Sequence, residues 1–477
     1  MADRRAPAHV APASGRPDQA RLVAYELLRA VSRDAAYANL TLPRLIAARR
    51  LDTRDAALAT ELGYGTLRAA GTLDEIIGRC VSRPISDVEA AVLDLLRLGA
   101  YQALRTRIPA HAAVATTVDL SRSTGNGRAG GFLNAVLRKV VAADWDTWTE
   151  QLAAEGTTWR RLAVRNAHPT WIAEAFAAAL DGDPEQTEHA LVVDDQRPVT
   201  HLVAWPGRID RDALIAQAGG VAGPWSPYAV RLAGGDPGEL PAVRSGTAAV
   251  QDEGSQLCAI ALANATLSGL DQRWLDLCAG PGGKSALLAA LATPRGAHLT
   301  ANELHPHRAE LVAKATSSWN VDVRVGDALQ MHEPAAFDRV LVDAPCSGLG
   351  ALRRRPEARW RRRPVDVEDL AQLQLRLLVA ALEMTRPDGL VAYVVCSPHR
   401  AETHDIINRV LGAELVDARP FFPGVDSLGA GPSVQLWPHR HGTDAMFFAL
   451  LRRTASAAGS TGGAPGPDRA GRSEPSQ

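Results

Sequence analysis

Two cysteines stand where a chain could use them for chemistry. Cys346 lies in Asp343-Ala344-Pro345-Cys346-Ser347-Gly348, after the apolar run Val340-Leu341-Val342, and Cys396 lies in Val395-Cys396-Ser397. Both follow runs that read as β-strands, and ligands of an open α/β sheet bind beyond the carboxyl ends of its strands. A thiolate is a strong nucleophile and a tolerable leaving group, so two thiols at such ends suit covalent catalysis. The plain alternative is a pair of buried core cysteines.

A third stretch carries the binding chemistry. Residues 274–291 read as a short strand, a glycine-rich turn and a run of Ala and Leu, the opening of an α/β nucleotide-binding unit. Its turn lets backbone N–H groups approach a ligand, and the following helix start favours an anion. Gly283-Lys284-Ser285 resembles the end of a phosphate-binding P-loop, but that pattern needs a glycine where this chain has Cys278. A nucleoside cofactor needs a ribose-binding carboxylate about 20 residues on, and Glu303 supplies it at the end of a second strand. Glu303 could also be a carboxylate placed for a helix start, and Asp327 a turn former.

The glycine stretch, Asp276-Leu277-Cys278-Ala279-Gly280-Pro281-Gly282-Gly283-Lys284, is similar to the first motif of the RNA cytosine-C5 methyltransferases, and the two cysteine motifs resemble that family's pair. Within it the chain most resembles the Sun/RsmB enzymes of 16S ribosomal RNA, over about residues 20–453. The resemblance implies S-adenosylmethionine as cofactor. It would be cradled by Cys278, Ala279, Gly280, Pro281, Gly282, Gly283 and Lys284, with Glu303 on the ribose and Asp327 on adenine. It implies Cys396 as the nucleophile, Cys346 as the group assisting release, and Asp343 orienting the base or the cofactor's methionine end. DNA cytosine methyltransferases attack with a Pro-Cys motif, so the opposite assignment, on Pro345-Cys346, stays open from the residues alone.

The elements that must position these groups follow from periodicity. From residue 21 to about 141 apolar positions recur at helical spacing (Val23, Leu27, Val31; Val92, Leu95, Leu96, Gly99; Phe132, Val136, Val140), which predicts an all-α domain over 20–145. Residues 62–68, 96–102 and 132–138 resemble landmarks of a NusB-like RNA-binding domain. Residues 146–245 predict a small α/β segment with one helix, 171–180. There, 201–205 reads His-Leu-Val-Ala-Trp where the family has an Arg-Val-Asn strand, which puts any RNA contact at that strand in doubt. From 246 to 453 strands (274–277, 298–302, 321–325, 339–342, 390–395) alternate with helices (284–291, 307–319, 367–384, 402–411). That pattern predicts a doubly wound sheet, which the resemblance makes a Rossmann-like methyltransferase domain whose final pair, 434–437 and 445–451, adds an antiparallel edge. Residues 1–19 and 454–477, rich in Ala, Gly, Pro and Ser, read as disordered tails.

Composition excludes several classes. The 477 residues are 46% apolar and 22% charged, so the chain is globular and long enough for several domains. No apolar run reaches the ~18 residues of a membrane span, and the N-terminus lacks a secretory apolar core. Five cysteines without a CxxC pair argue against a disulfide scaffold and a zinc site and fit a reducing cytoplasm. His305/His307 and His439/His441 have no third ligand, so no metal is expected. The net charge of −1 does not announce a nucleic-acid binder, but local patches matter more than the sum. Lys139, Lys284 and Lys314 are the only lysines, and one of the three sits in the glycine loop. Arginines 353–355, 359 and 361–363, interleaved with Trp360, read as a grip on phosphates and an unpaired base. The expected partner is RNA, with 16S rRNA ahead of tRNA, and the chain is expected to act as a monomer. A non-catalytic RNA-binding factor and an ATPase are the rival classes, opposed by the two cysteines and by Cys278.

Overall fold

A computed structural model describes residues 18–154 and 156–454. The expected tails fall mostly on 1–17 and 455–477, outside that range. Their inner ends differ from expectation. Asp18 caps the first helix by accepting from Arg21 N, and Thr454 N donates to Gly412 O at 3.0 Å.

Six helices build the first domain: α1 (Gln19–Asp34), α2 (Ala38–Arg49), α3 (Thr53–Cys80), α4 (Ala90–Arg105), α5 (Ala110–Ser123) and α6 (Gly130–Val140). Their apolar stripes meet in one core that includes Val23, Leu27, Leu62, Ile76, Leu95, Leu96, Val136 and Val140. Stripes at this spacing have nowhere else to bury.

The next segment corrects the one-helix expectation. It opens with four helices, α7 (Trp145–Ala153), α8 (Thr158–Arg165), α9 (Thr170–Ala179) and α10 (Pro184–Asp194). Three are capped by side chains, Asp144 accepting from Thr147 N, Thr157 from Arg160 N, and Asp183 from Glu185 N and Gln186 N. Their buried faces are short and partly polar: α10 buries Thr187 and Asp194 beside Ala190 and Leu191, so no apolar stripe betrays it. After them β1 (His201–Ala204), α11 (Arg211–Ala218), β2 (Val221–Ala222), β3 (Ala229–Arg231), α12 (Pro241–Arg244) and β4 (Ala248–Val250) form a small unit. Its antiparallel sheet runs β2-β3-β1-β4 over Leu202, Leu214 and Val230.

The last domain comprises α13 (Glu253–Asn264), β5 (Arg273–Asp276), α14 (Gly283–Ala292), β6 (His298–Glu303), α15 (Pro306–Thr316), β7 (Val321–Val325), β8 (Phe337–Asp343), α16 (Ala358–Arg361), α17 (Pro364–Met384), β9 (Thr385–Val395), α18 (His404–Ile407), β10 (Ala413–Val416), β11 (Val434–Gln435), α19 (Pro438–His441) and β12 (Phe447–Arg453). Strand order is β10-β12-β9-β8-β5-β6-β7, and the run from β9 to β7 is parallel. Alternate residues cover both faces: Leu275, Val340 and Val391 pack with Leu377 and Leu378 of α17, while Trp274, Leu341 and Val394 pack with Leu257 of α13 and Leu287 of α14. The chain leaves β5 toward β6 and β7, then returns to β8 on the other side, so β5 and β8 flank the switch point where such sheets bind ligands.

The predicted antiparallel pair exists as β11 and β12, but β12 lies between β9 and β10 and is not the edge. The predicted helix over 402–411 is a turn at Arg400–Glu402 and the single turn α18, followed by the unexpected edge strand β10. Glu402 points its carboxylate inward instead of opening a solvated helix.

The arginine run corrects a second expectation. Arg359 is fully buried and donates to Ala167 O (2.9 Å), Asp194 O (3.0 Å) and Asp195 Oδ1 (3.1 Å). Trp360 Nε1 donates to Arg68 O of α3 at 2.7 Å, and its ring lies so close to Gly71 that a Cβ there would fall 2.2 Å from ring carbon. Arg353 donates to Thr443 O (2.6 Å), Arg354 to Asp252 (2.7 Å) and Asp444 (3.0 Å), and Arg362 to Ser347 O (3.1 Å). The run fastens the catalytic domain to itself and to the helices before it. Arg355, Arg361 and Arg363 remain exposed, though Arg361 donates to Ala35 O and Ala36 O and Arg363 pairs with Asp366.

Candidate active site

The loop after β5 closes on the end of β6. Gly280 N donates to Glu303 Oε2 at 3.0 Å, and a Cβ on Gly280 would stand 2.2 Å from that oxygen, so only glycine allows the approach. Glu303 Oε1 accepts from His305 N at 3.0 Å, at the start of α15, so the helix-start reading of this carboxylate holds as well. Arg308 Nη2 donates to Gly280 O at 2.6 Å and lies 3.7 Å from Glu303. Gly282, at φ +106°, is the residue before α14 and leaves the helix N–H groups free to face a ligand. Cys278 turns its side chain into the core, where burial raises its thiol, so this residue offers the pocket its backbone only. Ala279 is also buried, and Pro281 is exposed. Asp327, two residues past β7, is exposed and accepts from Leu329 N at 2.9 Å, which is the turn-forming role.

Buried polar atoms around this loop lack protein partners among the described residues: Asp276 Oδ1, Asn302 Oδ1, and both amide atoms of Gln251. Asp276 ends β5 and accepts from Ser285 Oγ at 2.7 Å on its other oxygen. Burial pushes its carboxyl up to about 7. Gln251 lies 3.5 Å from where a Gly283 Cβ would be. Unmet buried groups of this kind are costly and point to a ligand, and acceptors ringed about a helix start suit a nucleoside carrying hydroxyl, amine and carboxylate groups. Sequence reading singled out neither Gln251 nor Asn302, although Asn302 adjoins Glu303 and Gln251 stands just before α13.

Lys284 reaches across the switch point, its Nζ donating to Asp343 Oδ2 at 2.9 Å. Burial opposes the ammonium, but the Asp343 carboxylate outweighs it and holds Lys284 above its ordinary value. The lysine in the glycine loop therefore grips the end of β8 and not a phosphate. Beyond it, Cys346 Sγ and Cys396 Sγ stand 3.4 Å apart at the ends of adjacent strands. A hydrogen bond from Cys346, and the positive charges of Arg355 and Lys284, lower the Cys396 thiol against burial and Asp343. Cys346 is raised well above the ordinary thiol by the same bond, by burial, and by the charges of Cys396 and Glu402. Glu402, Ser347 and Ser397 behind them were not foreseen; the repeated Cys-Ser dipeptide was the signal available.

The fold agrees with the comparisons. The sequence matches the family described as 16S rRNA methyltransferase RsmB/F over residues 266–452, and the NusB family over 18–142. It is 32% identical to ribosomal RNA small subunit methyltransferase B of Erwinia tasmaniensis, over 83% of this chain and 90% of that one. The chain belongs to the RsmB/F family. It is 53% identical to a provisionally named methyltransferase of Mycobacterium tuberculosis, over 91% of this chain and 97% of the relative. The fold of the whole RsmB/F chain is shared with the solved structure of PH0851, with TM-score 0.77 and 21% identity over 92% of this chain and 99% of that one. A methyltransferase homologue from Pyrococcus horikoshii shares it over 61% of this chain and 97% of its own length, with TM-score 0.51 and 22% identity. As an RsmB/F protein with a NusB domain, the chain is an S-adenosylmethionine-dependent methyltransferase of ribosomal RNA.

Two other sequence expectations resolve here. His201 is buried and its Nδ1 accepts from Glu253 N at 3.1 Å, so the strand it opens does not present it to RNA. His441 is likewise internal, accepting from Trp437 N at 2.8 Å and facing Asp426 O at 2.8 Å. Among the described residues no group of three His, Cys, Asp or Glu could hold a metal, and no helix is long and apolar enough to cross a membrane.

Proposed function

We propose that this RsmB/F chain forms 5-methylcytosine in 16S rRNA through a covalent cysteine adduct, with Cys396 as the nucleophile and Cys346 assisting release. The observation that carries the reading is the 3.4 Å thiol pair whose members are shifted in opposite directions. Cytosine C5 is a poor nucleophile. Addition of the Cys396 thiolate to C6 makes the ring enamine-like, so that C5 becomes electron-rich. Bound S-adenosylmethionine supplies the electrophilic methyl group. Removal of the C5 proton then returns the electron pair to the ring and expels the Cys396 thiolate. Cys346, protonated at first and donating to Cys396, gives its own proton to solvent once Cys396 is bonded to C6, and its thiolate then takes the C5 proton.

In this reading, residues 278–284, Gln251 and Asp276 hold the cofactor's methionine end, Glu303 its ribose and Asp327 its adenine. Asp343 is fixed by Lys284 and orients the base. Exposed Arg355, whose charge already bears on Cys396, is suited to a phosphate beside the target. An rRNA substrate and catalysis by free thiols support work in the cytoplasm, and in this reading the chain acts as a monomer.

The test is the behaviour of two variants with a 16S rRNA transcript and S-adenosylmethionine. Cys396→Ser loses methyl transfer and forms no adduct, because a hydroxyl is far less nucleophilic than a thiolate. Cys346→Ser still attacks and methylates, then stalls as a protein–RNA adduct that survives denaturing electrophoresis. Accumulation of the adduct in Cys396→Ser would reverse the two roles, and full methylation by both variants would sink the thiol mechanism.

A further inference from the structure

The residues that follow the two cysteines share one acceptor. Glu402, in the turn after β9, is fully buried. Its Oε1 accepts from Ser347 N at 2.7 Å and from Gln374 Nε2 at 3.1 Å. Its Oε2 accepts from Ser397 Oγ at 2.6 Å and from Ser347 Oγ, and the two hydroxyl oxygens are themselves 3.2 Å apart. Ser347 adjoins Cys346 and Ser397 adjoins Cys396. Gln374 of α17 also donates to Pro345 O at 2.9 Å, and Tyr393 Oη of β9 donates to Glu402 O at 2.7 Å. The carboxylate is thus met from the Cys346 loop, from the Cys396 loop and from the helix behind them.

A buried carboxylate is tolerable only with its lone pairs filled. Here they are filled by neutral donors, most of them carried on the two cysteine loops. Moving either loop would strip donors from a buried carboxylate that has no water to replace them, and an unmet buried acceptor is costly. Reacting groups need that stiffness, because a displacement of about 1 Å can cost on the order of 10²-fold in rate.

We propose that Glu402 is a positioning residue that binds the two cysteine loops into one unit and holds their thiols at reacting distance. The inference rests on Cys346 and Cys396 being the catalytic pair. It is tested on the full-length protein by two readouts: methyl transfer to a 16S rRNA transcript, and the rate at which diamide joins Cys346 to Cys396, followed by mass spectrometry. In the second, the two thiols give up two protons and two electrons to the diazene, which becomes a hydrazine. Glu402→Ala should slow disulfide formation at least about tenfold and lower kcat about 100-fold, with KM for S-adenosylmethionine within about twofold. Glu402→Gln, whose amide oxygen can still accept from Ser347 N, should recover a large part of both. Should Glu402→Ala not fold, Ser397→Ala removes one donor and should slow both readouts to a smaller degree. Crosslinking at the wild-type rate in the variants, with or without loss of kcat, would overturn the positioning role. Full activity of Cys396→Ser would instead overturn the catalytic reading, and the crosslinking rates would still decide what Glu402 does.

Discussion

Cys396 and Cys346 face different charges although they touch. Arg355 and Lys284 lie toward Cys396, and Glu402 lies toward Cys346, so the shared proton belongs on Cys346. The alkylation rate of Cys396 with iodoacetamide should therefore rise with pH about a midpoint below that of an ordinary thiol. In Cys346→Ala the thiolate loses its donor, the thiol form is favoured, and the midpoint should move up. A midpoint that stays put or falls would mean that Cys346 does not donate. Glu303 gives a second test at this scale. Glu303→Ala removes the acceptor that holds Gly280 N and to which the proposal gives the ribose, and should weaken S-adenosylmethionine binding by on the order of 1.5–3 kcal/mol, read by calorimetry. Tight ATP binding without S-adenosylmethionine binding would overturn the cofactor assignment of this pocket. The glycine loop and both cysteines were legible because their chemistry is local: a turn, a strand end and a nucleophile are written in consecutive residues. The side chain of Cys278 was not, because the direction of a side chain in a turn depends on what packs beneath it.

Elements meet here through charged side chains that a sequence cannot rank. Arg354, after the Cys346 loop, bridges Asp252 at the head of α13 and Asp444 ahead of β12. Asp252 and Asp444 are nearly buried side chains and Arg354 is partly so, with Arg353 and His201 left beside them, so Arg354→Ala should cost about 3 kcal/mol of unfolding free energy, read by urea denaturation. A change within about 0.5 kcal/mol, the range of an ordinary surface substitution, would show the bridge to be dispensable. The same blindness explains α7, α8 and α10. Their caps were written in the sequence as Asp144, Thr157 and Asp183-Pro184, but the buried faces of α7 and α10 include Thr149, Thr187 and Asp194, which spoil the apolar period. The missed strand β10 and the dissolved helix at 402–411 have one cause: Glu402 is pulled inward to the cysteine loops, and the chain past Gly412 pairs with β12.

At the scale of the molecule, the helical domain is joined to the catalytic one through α3. Trp360 is sealed by Arg68 and Gly71, so cutting away residues 1–145 would uncover its ring, while Arg359 would keep Ala167, Asp194 and Asp195. Point changes on the free face test RNA binding more cleanly. Arg83 lies 5.3 Å over the Phe132 ring, and with Arg128, Asn126 and Gly125 it lines an open cleft on the helical domain. Arg83→Ala with Arg128→Ala should weaken binding to the 16S rRNA transcript and flatten its salt dependence, by about 0.7 in slope for each phosphate that is no longer neutralised. An unchanged slope would make this cleft a bystander.

By itself the sequence determined the fold class, the all-α domain at the start, the parallel sheet at the end, and the two thiols and glycine loop at its ligand edge. Those features follow from apolar periods and from short motifs, and both are local properties of the chain. Only the tertiary structure decided that the arginine run is mainly a fastener, that His201 is internal, and that Lys284 answers Asp343 across the sheet. It alone brought Glu402 under Ser347 and Ser397. A polar residue reads as surface in a sequence, because its partners lie tens to hundreds of residues away. Whether it is solvated or buried is settled only when the fold supplies, or withholds, the matching donor or acceptor.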